Sequence, residues 1–361
     1  MFFLHHKMQS SIFCCLILVS ILGLSRAHAA TWGTSNPLML ESTPPISNPL
    51  RGARFFVDNQ WGLAQRAVLQ CESLLCSNGM SLIADQPETK RFGTWDKTPQ
   101  TTISNYLTRA EATDPGSVPL IATYGLKHVH CGGYSDSRAD QQAYQSLNDA
   151  FARGIGNHRA VVFLDIDALI TMGCLSAHGR AVRYQELNYA MKRLTSLPHT
   201  VVYLDAGAAD AVPAKTTAQQ FVKSGGMMGQ GFFLNSTHYD WTTTELVYGQ
   251  SINRLLPQRR AFVVSTAANG QGPLRPKNRV RDGNEVRCNP VGRGLGPRAN
   301  TNTSYLWNNA FIWIGNPGRS SGLCHPGDPG VGVFSEKIAV ALAQPANFKV
   351  RGPRNMHPLK G

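Results

Sequence analysis

Seven short apolar runs, each closed by a residue of a different kind, limit what this chain can fold into more than any other feature. They are Phe55 to Val57 before Asp58, Pro119 to Thr123 before Tyr124, Ala160 to Leu164 before Asp165, and Thr200 to Leu204 before Asp205. The series continues with Gly231 to Leu234 before Asn235, Ala261 to Val264 before Ser265, and Ala310 to Ile314 before Gly315. Runs this short and continuous suit parallel strands covered on both faces, where neither face meets water. Between them stand helical patterns such as Ala143, Leu147, Ala150 and Phe151, or Tyr184, Leu187, Met191 and Leu194, each laying one apolar stripe along a helix. Alternation of strand and helix requires a parallel sheet, and about seven such units favour a closed or nearly closed barrel over an open doubly wound sheet. The expected fold is therefore α/β, a parallel β/α barrel of about seven strands in a single domain. Strand-ending polar residues then collect at one rim, where active sites form in barrels. The fold alone names no reaction.

The first stretch has the pattern of an export signal: Lys7, an apolar run from Ile12 to Leu24, and the small-residue site Ala27-His28-Ala29. Residues 1–29 read as a signal peptide, and its apolar run is too short for a membrane span of about 18 or more residues. The expected product is secreted, or periplasmic in a Gram-negative source, and free of the membrane once the signal is cleaved. The Pro-rich residues up to 47 read as a lead-in, and residues 346–361 as a basic tail.

Net charge is +13, which by itself suggests nucleic acid or acidic surfaces. The densest basic cluster, Arg275, Lys277, Arg279, Arg281 and Arg287, lies among Pro, Gly and Asn with no interleaved aromatic residues to stack on bases. It reads as a solvated loop, as does the basic tail, and no nucleic-acid partner is expected. Of the eight cysteines, Cys14 and Cys15 leave with the signal; the six that remain form an even set, which in an exported chain favours disulfides.

Two strands deliver carboxylates at their mouths. Asp165 and Asp167 follow Val161 to Leu164, and Asp205 follows Val201 to Leu204. On an extended chain Asp165 and Asp167 would point the same way. A carboxyl held in so poorly solvated a place has a raised pKa and can act as an acid near neutral pH. The structural alternative is that these aspartates cap helices or hold loops.

At this point the chain resembles glycoside hydrolase family 6, the inverting cellulases, over residues 48–345. The motifs occur in family order: Tyr124 through Cys131-Gly132-Gly133-Tyr134-Ser135, the Asp167 segment, Tyr203-Leu204-Asp205-Ala206-Gly207, and Gly231 to Tyr239. Ala268-Asn269-Gly270-Gln271-Gly272-Pro273 follows, then Cys288 to Gly296, then Phe311-Ile312-Trp313-Ile314 with Pro317-Gly318. The resemblance implies a distorted parallel barrel with a substrate groove over its rim and a β-1,4-glucan substrate. It places Asp167 at the general acid, Asp205 at a second active-centre aspartate and Tyr124 near the cleavage point. Ser135, Asn235 and Tyr239 fall on segments that contact substrate. It also implies disulfides Cys131–Cys174 and Cys288–Cys324, which leaves Cys71 and Cys76 for each other. No cofactor or metal is implied, and a monomer is expected.

The departures concern water activation. His130 stands where the family keeps an aspartate that helps the acid and the attacking water, and Asp165-Ile166-Asp167 replaces Glu-Pro-Asp. Asn309 stands at the presumed base, while Lys, Glu and Asp of the next turn are Gly315, Arg319 and Ser321. Arg287 replaces a sugar-stacking Trp, and Ala208 and Ala211 replace a His and a Trp. Inverting hydrolysis needs an acid on one side of the bond and a base on the other, about 6.5–9.5 Å apart. An amide such as Asn309 can orient a water but cannot take its proton. His130, titrating near neutrality, is a substitute base or else a histidine packed beside a disulfide. His128, His130, Cys131, Cys174 and His178 together could hold zinc, although a disulfide is the simpler use of the two cysteines in an exported chain. The expected activity is an inverting, endo-acting β-1,4-glucan hydrolase on soluble or amorphous glucan. The alternative is a glucan-binding protein of the same fold that has lost turnover.

Overall fold

Burial on both faces of a parallel sheet dictates the observed architecture. The computed structural model describes residues 47–127, 134–274 and 288–361. Seven strands pair in chain order, every pair parallel: β1 (Thr89–Gly93), β2 (Leu120–Tyr124), β3 (Ala160–Leu164), β4 (Thr200–Asp205), β5 (Gly231–Leu234), β6 (Ala261–Ser265) and β7 (Asn308–Ile312). Because each strand pairs with its sequence neighbour, the sheet curls in one direction without a switch point. Four helices fill the strand connections from β1 to β5: α3 (Pro99–Thr113), α4 (Arg138–Ile155), α5 (Ala177–Thr195) and α6 (Ala214–Lys223). Then α7 (Thr242–Leu255) precedes β6, while α1 (Leu63–Val68), α2 (Leu74–Ala84) and α8 (Glu336–Ala343) lie at the two ends of the order. Ser137 starts α4 and Ser176 starts α5 by accepting the backbone N–H groups of Asp140 and Gly179, the usual means of satisfying a helix's first donors.

Side chains alternate between two cores along the strands. Leu120, Ala122, Val161, Phe163, Tyr203, Phe233, Val263 and Ala310 belong to the inner cluster. Their neighbours Ile121, Val162, Leu164, Val202, Leu204, Phe232, Val264 and Phe311 pack with the helices in the outer cluster. Among the described residues no ladder joins β1 to β7. Instead the Thr89 hydroxyl donates to the Trp313 carbonyl at 3.1 Å, and a third cluster packs there, with Met80 of α2, Trp313, and Ala339 and Leu342 of α8. The distorted barrel is thus closed along one seam by side chains.

Six of the seven apolar runs are strands of this sheet. The first is not: Phe55 makes one isolated parallel bridge to Val118, and the edge position is held by Thr89-Lys90-Arg91-Phe92-Gly93. Strand β7 also begins two residues earlier than the run at Ala310, with a register irregularity opposite Phe262 and Val263. The basic residues of the C-terminal segment, Lys349, Arg351, Arg354 and Lys360, are exposed, but the end of the segment is anchored. Leu306 and Leu359 are joined by a backbone bond, the Gln250 amide both donates to the Leu359 carbonyl and accepts its N–H, and the Lys360 ammonium lies 3.7 Å from the Tyr305 ring centroid.

Beneath the β2 and β3 mouths, Arg183 of α5 is fully buried, donating to Thr171 Oγ1 at 2.7 Å and stacking over the Tyr134 ring, whose hydroxyl donates to Glu186. Burial pushes the Glu186 carboxyl up to about 7, against 4.5 in the open chain, even though Tyr134 and Arg183 favour its charged form. A raised acid contributes stability that is complete below the unfolded value and is lost as pH rises through the folded one. Glu186→Gln is therefore expected to be of near-parental stability at pH 4 and more stable than the parent at pH 8, by on the order of 3 kcal/mol if the whole shift is realised. Urea unfolding at both pH values measures this; a gap that does not grow with pH would show that Glu186 is ionised in the folded protein.

Candidate active site

The C-terminal strand ends open into a cavity of about 610 Å³. Its floor is set by the carboxylates after β3 and β4. Asp165 and Asp167 do not continue an extended strand: both adopt left-handed backbone, φ 48° and 68°, a conformation that Asp tolerates better than most residues because its short side chain bonds nearby backbone. The two side chains consequently go to different places. Asp165 is 1 % exposed, accepts the Tyr144 hydroxyl and the Gly125 N–H, and its own N–H donates to Thr123 Oγ1 at 2.9 Å. It fastens the β2 and β3 mouths together, and burial pushes its pKa up against those hydrogen bonds.

Asp167 faces the cavity. Its Oδ1 accepts from Thr237 Oγ1 at 2.7 Å, and among the described residues its Oδ2 has no hydrogen-bond donor. Asp205 lies fully buried behind it, accepting the backbone N–H groups of Gly207 and Asp167 and the Ser236 hydroxyl. Burial first, and then the charge of Asp167, push the Asp205 pKa well above the carboxylate range. One carboxyl is thereby offered to the cavity and the other is kept buried behind it.

The loop after β5 organises this floor. Asn235, φ 66°, ends the strand, and its side chain is consumed in bonds to the Asp240 backbone and the Ser265 carbonyl. The next three side chains each hold an aspartate: Ser236 reaches Asp205 at 3.2 Å, Thr237 reaches Asp167, and His238 Nδ1 lies 2.7 Å from Asp210 Oδ1. Another wall comes from the loops on either side of β7. Cys288–Cys324 ties them, and Asn289 next to the bridge donates to Ser320 Oγ, the Gly322 carbonyl and Asp328 Oδ2 while accepting the Ser321 N–H. Bonding from Asn289 holds the Asp328 carboxyl below its ordinary range.

Tyr124, Asn235 and Tyr239 line the cavity with Asp167, as the sequence suggests; Tyr239 is pushed up to about 12 by burial, which Ser321 opposes by hydrogen bonding. Ser135 does not line it: its hydroxyl is given to Asp140 in the first turn of α4. Asn309 does not line it either. It is the extra residue of the β7 irregularity, at the opposite end of the strand, 3 % exposed, with its amide donated to Tyr203 Oη at 2.8 Å. Instead Gly315, Arg319 and Ser321, from the loop beyond β7, are the replaced residues that reach the cavity. His130 and Cys131 lie outside the described residues. Cys71–Cys76 and Cys288–Cys324 are formed, and Cys174 is disulfide-bonded, which removes its thiolate from any zinc site. The His238 and Asp210 pair and the cavity-facing Arg91 were not singled out from sequence, because each gains meaning only from a neighbour on another strand.

The model of glycosyl hydrolases family 6 matches residues 50–345. This chain belongs to that family. Among family 6 relatives, endoglucanase A of Cellulomonas fimi is 32 % identical over 74 % of this chain and 56 % of its own length. Endoglucanase 1 of Streptomyces halstedii is 31 % identical over 72 % of this chain and 79 % of its own. The chain therefore spans little more than half of the first of these. The solved endoglucanase Cel6 of Mycobacterium tuberculosis, bound to a thio-linked cello-oligosaccharide, superposes with a TM-score of 0.73 at 30 % identity, covering 83 % of this chain and 99 % of that one. Within family 6, the buried position of Asn309 has a direct consequence. Asn309→Asp is expected to cost about 1–3 kcal/mol, by burying a carboxyl where an amide is now satisfied, and to leave turnover no higher than the parent's. Thermal unfolding and reducing-sugar assays read both; raised turnover would return position 309 to the reacting bond.

Proposed function

We propose that this chain is an exported β-1,4-glucan hydrolase that cleaves with inversion, with Asp167 as the general acid. The observation that carries the reading is the asymmetry of the carboxyl pair: Asp167 is fixed through one oxygen by Thr237 and presents the other to a cavity large enough for sugar rings, while Asp205 is locked behind it. Two carboxyls whose environments drive them apart can divide the roles of proton donor and support. The names of the family 6 relatives agree with a glucan substrate, and the endoglucanases among them with endo action. Disulfides support export, with residues 1–29 as its signal. Among the described residues no helix is long and apolar enough to cross a membrane.

Water activation is the altered half of this site. In the resemblance, Ser321 stands where the family has an aspartate, and it lines the cavity. Serine can orient a water but is a poor proton acceptor. Ser321→Asp is therefore expected to raise turnover at least tenfold, toward the roughly 10²–10⁴-fold that a general base supplies. Asp167→Asn is expected to abolish turnover in both backgrounds. If Ser321→Asp and Asp167→Asn both leave a measurable parental rate unchanged, the acid and base assigned here are wrong. Proton NMR of fresh digests should show the α anomer first, since water attacks opposite the leaving group; initial β anomer excludes inversion. Glucan binding without turnover in any variant would establish the binding-protein alternative.

A further inference from the structure

The cavity wall beside Tyr124 is cationic. By the alternation of β1, in which Phe92 packs among the helices, Arg91 points to the inner side, where it lines the cavity with its guanidinium 5.5 Å from the Tyr124 ring centroid. Its Nε is buried without a hydrogen-bond partner, and among the described residues no carboxylate lies within ion-pair distance of it. Arg319, from the loop beyond β7, lines the same cavity; it donates to the Gly332 carbonyl at 2.7 Å and lies 3.3 Å from Glu88 Oε1, and its Nε is also buried and unpartnered. Glu88 is shared, accepting from Asn316 at 3.2 Å and from the Leu63 N–H. The positive charge of Arg91 reinforces the burial that lowers the pKa of Arg319, so the two guanidiniums sense each other. The Tyr124 hydroxyl senses both arginines and both Asp167 and Asp205, which puts this cationic wall within electrostatic reach of the reacting carboxyls.

Such a wall is poorly matched to a neutral sugar. Neutral glucan is gripped mainly by aromatic faces, yet no tryptophan lines the cavity among the described residues: the exposed Trp95 packs 5.5 Å from the Tyr124 ring centroid outside it, and Tyr124 has a guanidinium near its ring as well. The Arg91 guanidinium, with no ion-pair partner among the described residues, is matched to an oxyanion, which a guanidinium can bind through two parallel N–H bonds, and Arg319, already engaged by Gly332 and Glu88, adds charge beside it.

We propose that the cleft selects a β-linked glycan bearing a carboxylate on the sugar bound beside Tyr124, a uronosyl unit held by Arg91 and Arg319. The inference rests on the glycan-hydrolase reading and names its substrate class. A sulfate ester would offer similar oxygens, so the test separates the two. Cello-oligosaccharides of one length are compared in neutral form, oxidised at C6 to glucuronosyl units, and 6-O-sulfated. Binding is measured by calorimetry to the Asp167→Asn protein, which leaves the ligands intact, and hydrolysis is measured with the parent. The oxidised form is expected to bind roughly 10–100-fold more tightly than the neutral one, the range for a charge-assisted contact, with the advantage shrinking as salt is raised. Arg91→Gln should bring the ratio near one, and Arg91→Lys should keep part of it. If Arg91→Gln does not fold, the parental preference and its salt dependence decide.

Equal or tighter binding of the neutral oligosaccharide overturns the proposal, and if that oligosaccharide is also cleaved the glucan-hydrolase reading stands alone. A preference for the sulfated form only overturns the carboxylate assignment. Failure of all three to bind or be cleaved removes both readings.

Discussion

Everything in this molecule follows from a parallel sheet that has no wet face. With helices on one side and a packed interior on the other, a central strand is filled mainly by apolar side chains and gathers polar ones near its ends. The mouth of each strand is therefore where a carboxylate, amide or hydroxyl is most readily kept. Asp165, Asp205 and Asn235 occupy such mouths, with Asp167 just beyond. Register then arranges them. Phe163 pairs with Tyr203 and Asp205 with Phe233, so the ends of β3, β4 and β5 come level, and the loop beyond β5 can reach the aspartates of its neighbours. Depth does the rest. Asp205, the last residue of its strand, is fully buried and its pKa is raised by that burial, whereas Asp167 in its turn remains at the cavity.

Features written in local pattern were legible in the sequence, and features created by pairing were not. Six strands announced themselves because burial on both faces demands uninterrupted apolar residues. Strand β1 did not, since an edge strand has a single partner in the ladder, and Lys90 and Arg91 can stand in it. Phe55 resembled a strand because it is buried, but one bridge is all it makes. The resemblance places Asn309 by its position before the Phe311-Ile312-Trp313 motif, and a one-residue irregularity in the ladder cannot be read from sequence. The C-terminal segment is held by Gln250, 109 residues away from Leu359, and carries no periodicity of its own. For the site, the carboxylates could be read because polar residues at strand mouths are conspicuous. Their division of labour could not, because it depends on which carboxyl is deeper.

The loop side of the cavity is built on another principle. Asn289, in left-handed backbone beside a disulfide, spends its whole amide on four partners from residues 320–328. A short segment without helix or strand is given a fixed shape by one side chain and one covalent link. Residues 319–321 can differ chemically from their relatives while their backbone stays where the cavity requires it.

Among the described residues, the seam between β1 and β7 is where neighbouring strands of the barrel wall are not joined by a main-chain ladder. Thr89 touches Trp313 across it, and Glu88 reaches Arg319 and Asn316. Arg91 stands on one lip and Arg319 on the other. A joint made of side chains involves no strand ladder, and both cavity arginines stand at it. An anion seated between Arg91 and Arg319 would bridge the first strand of the barrel to the loop beyond the last.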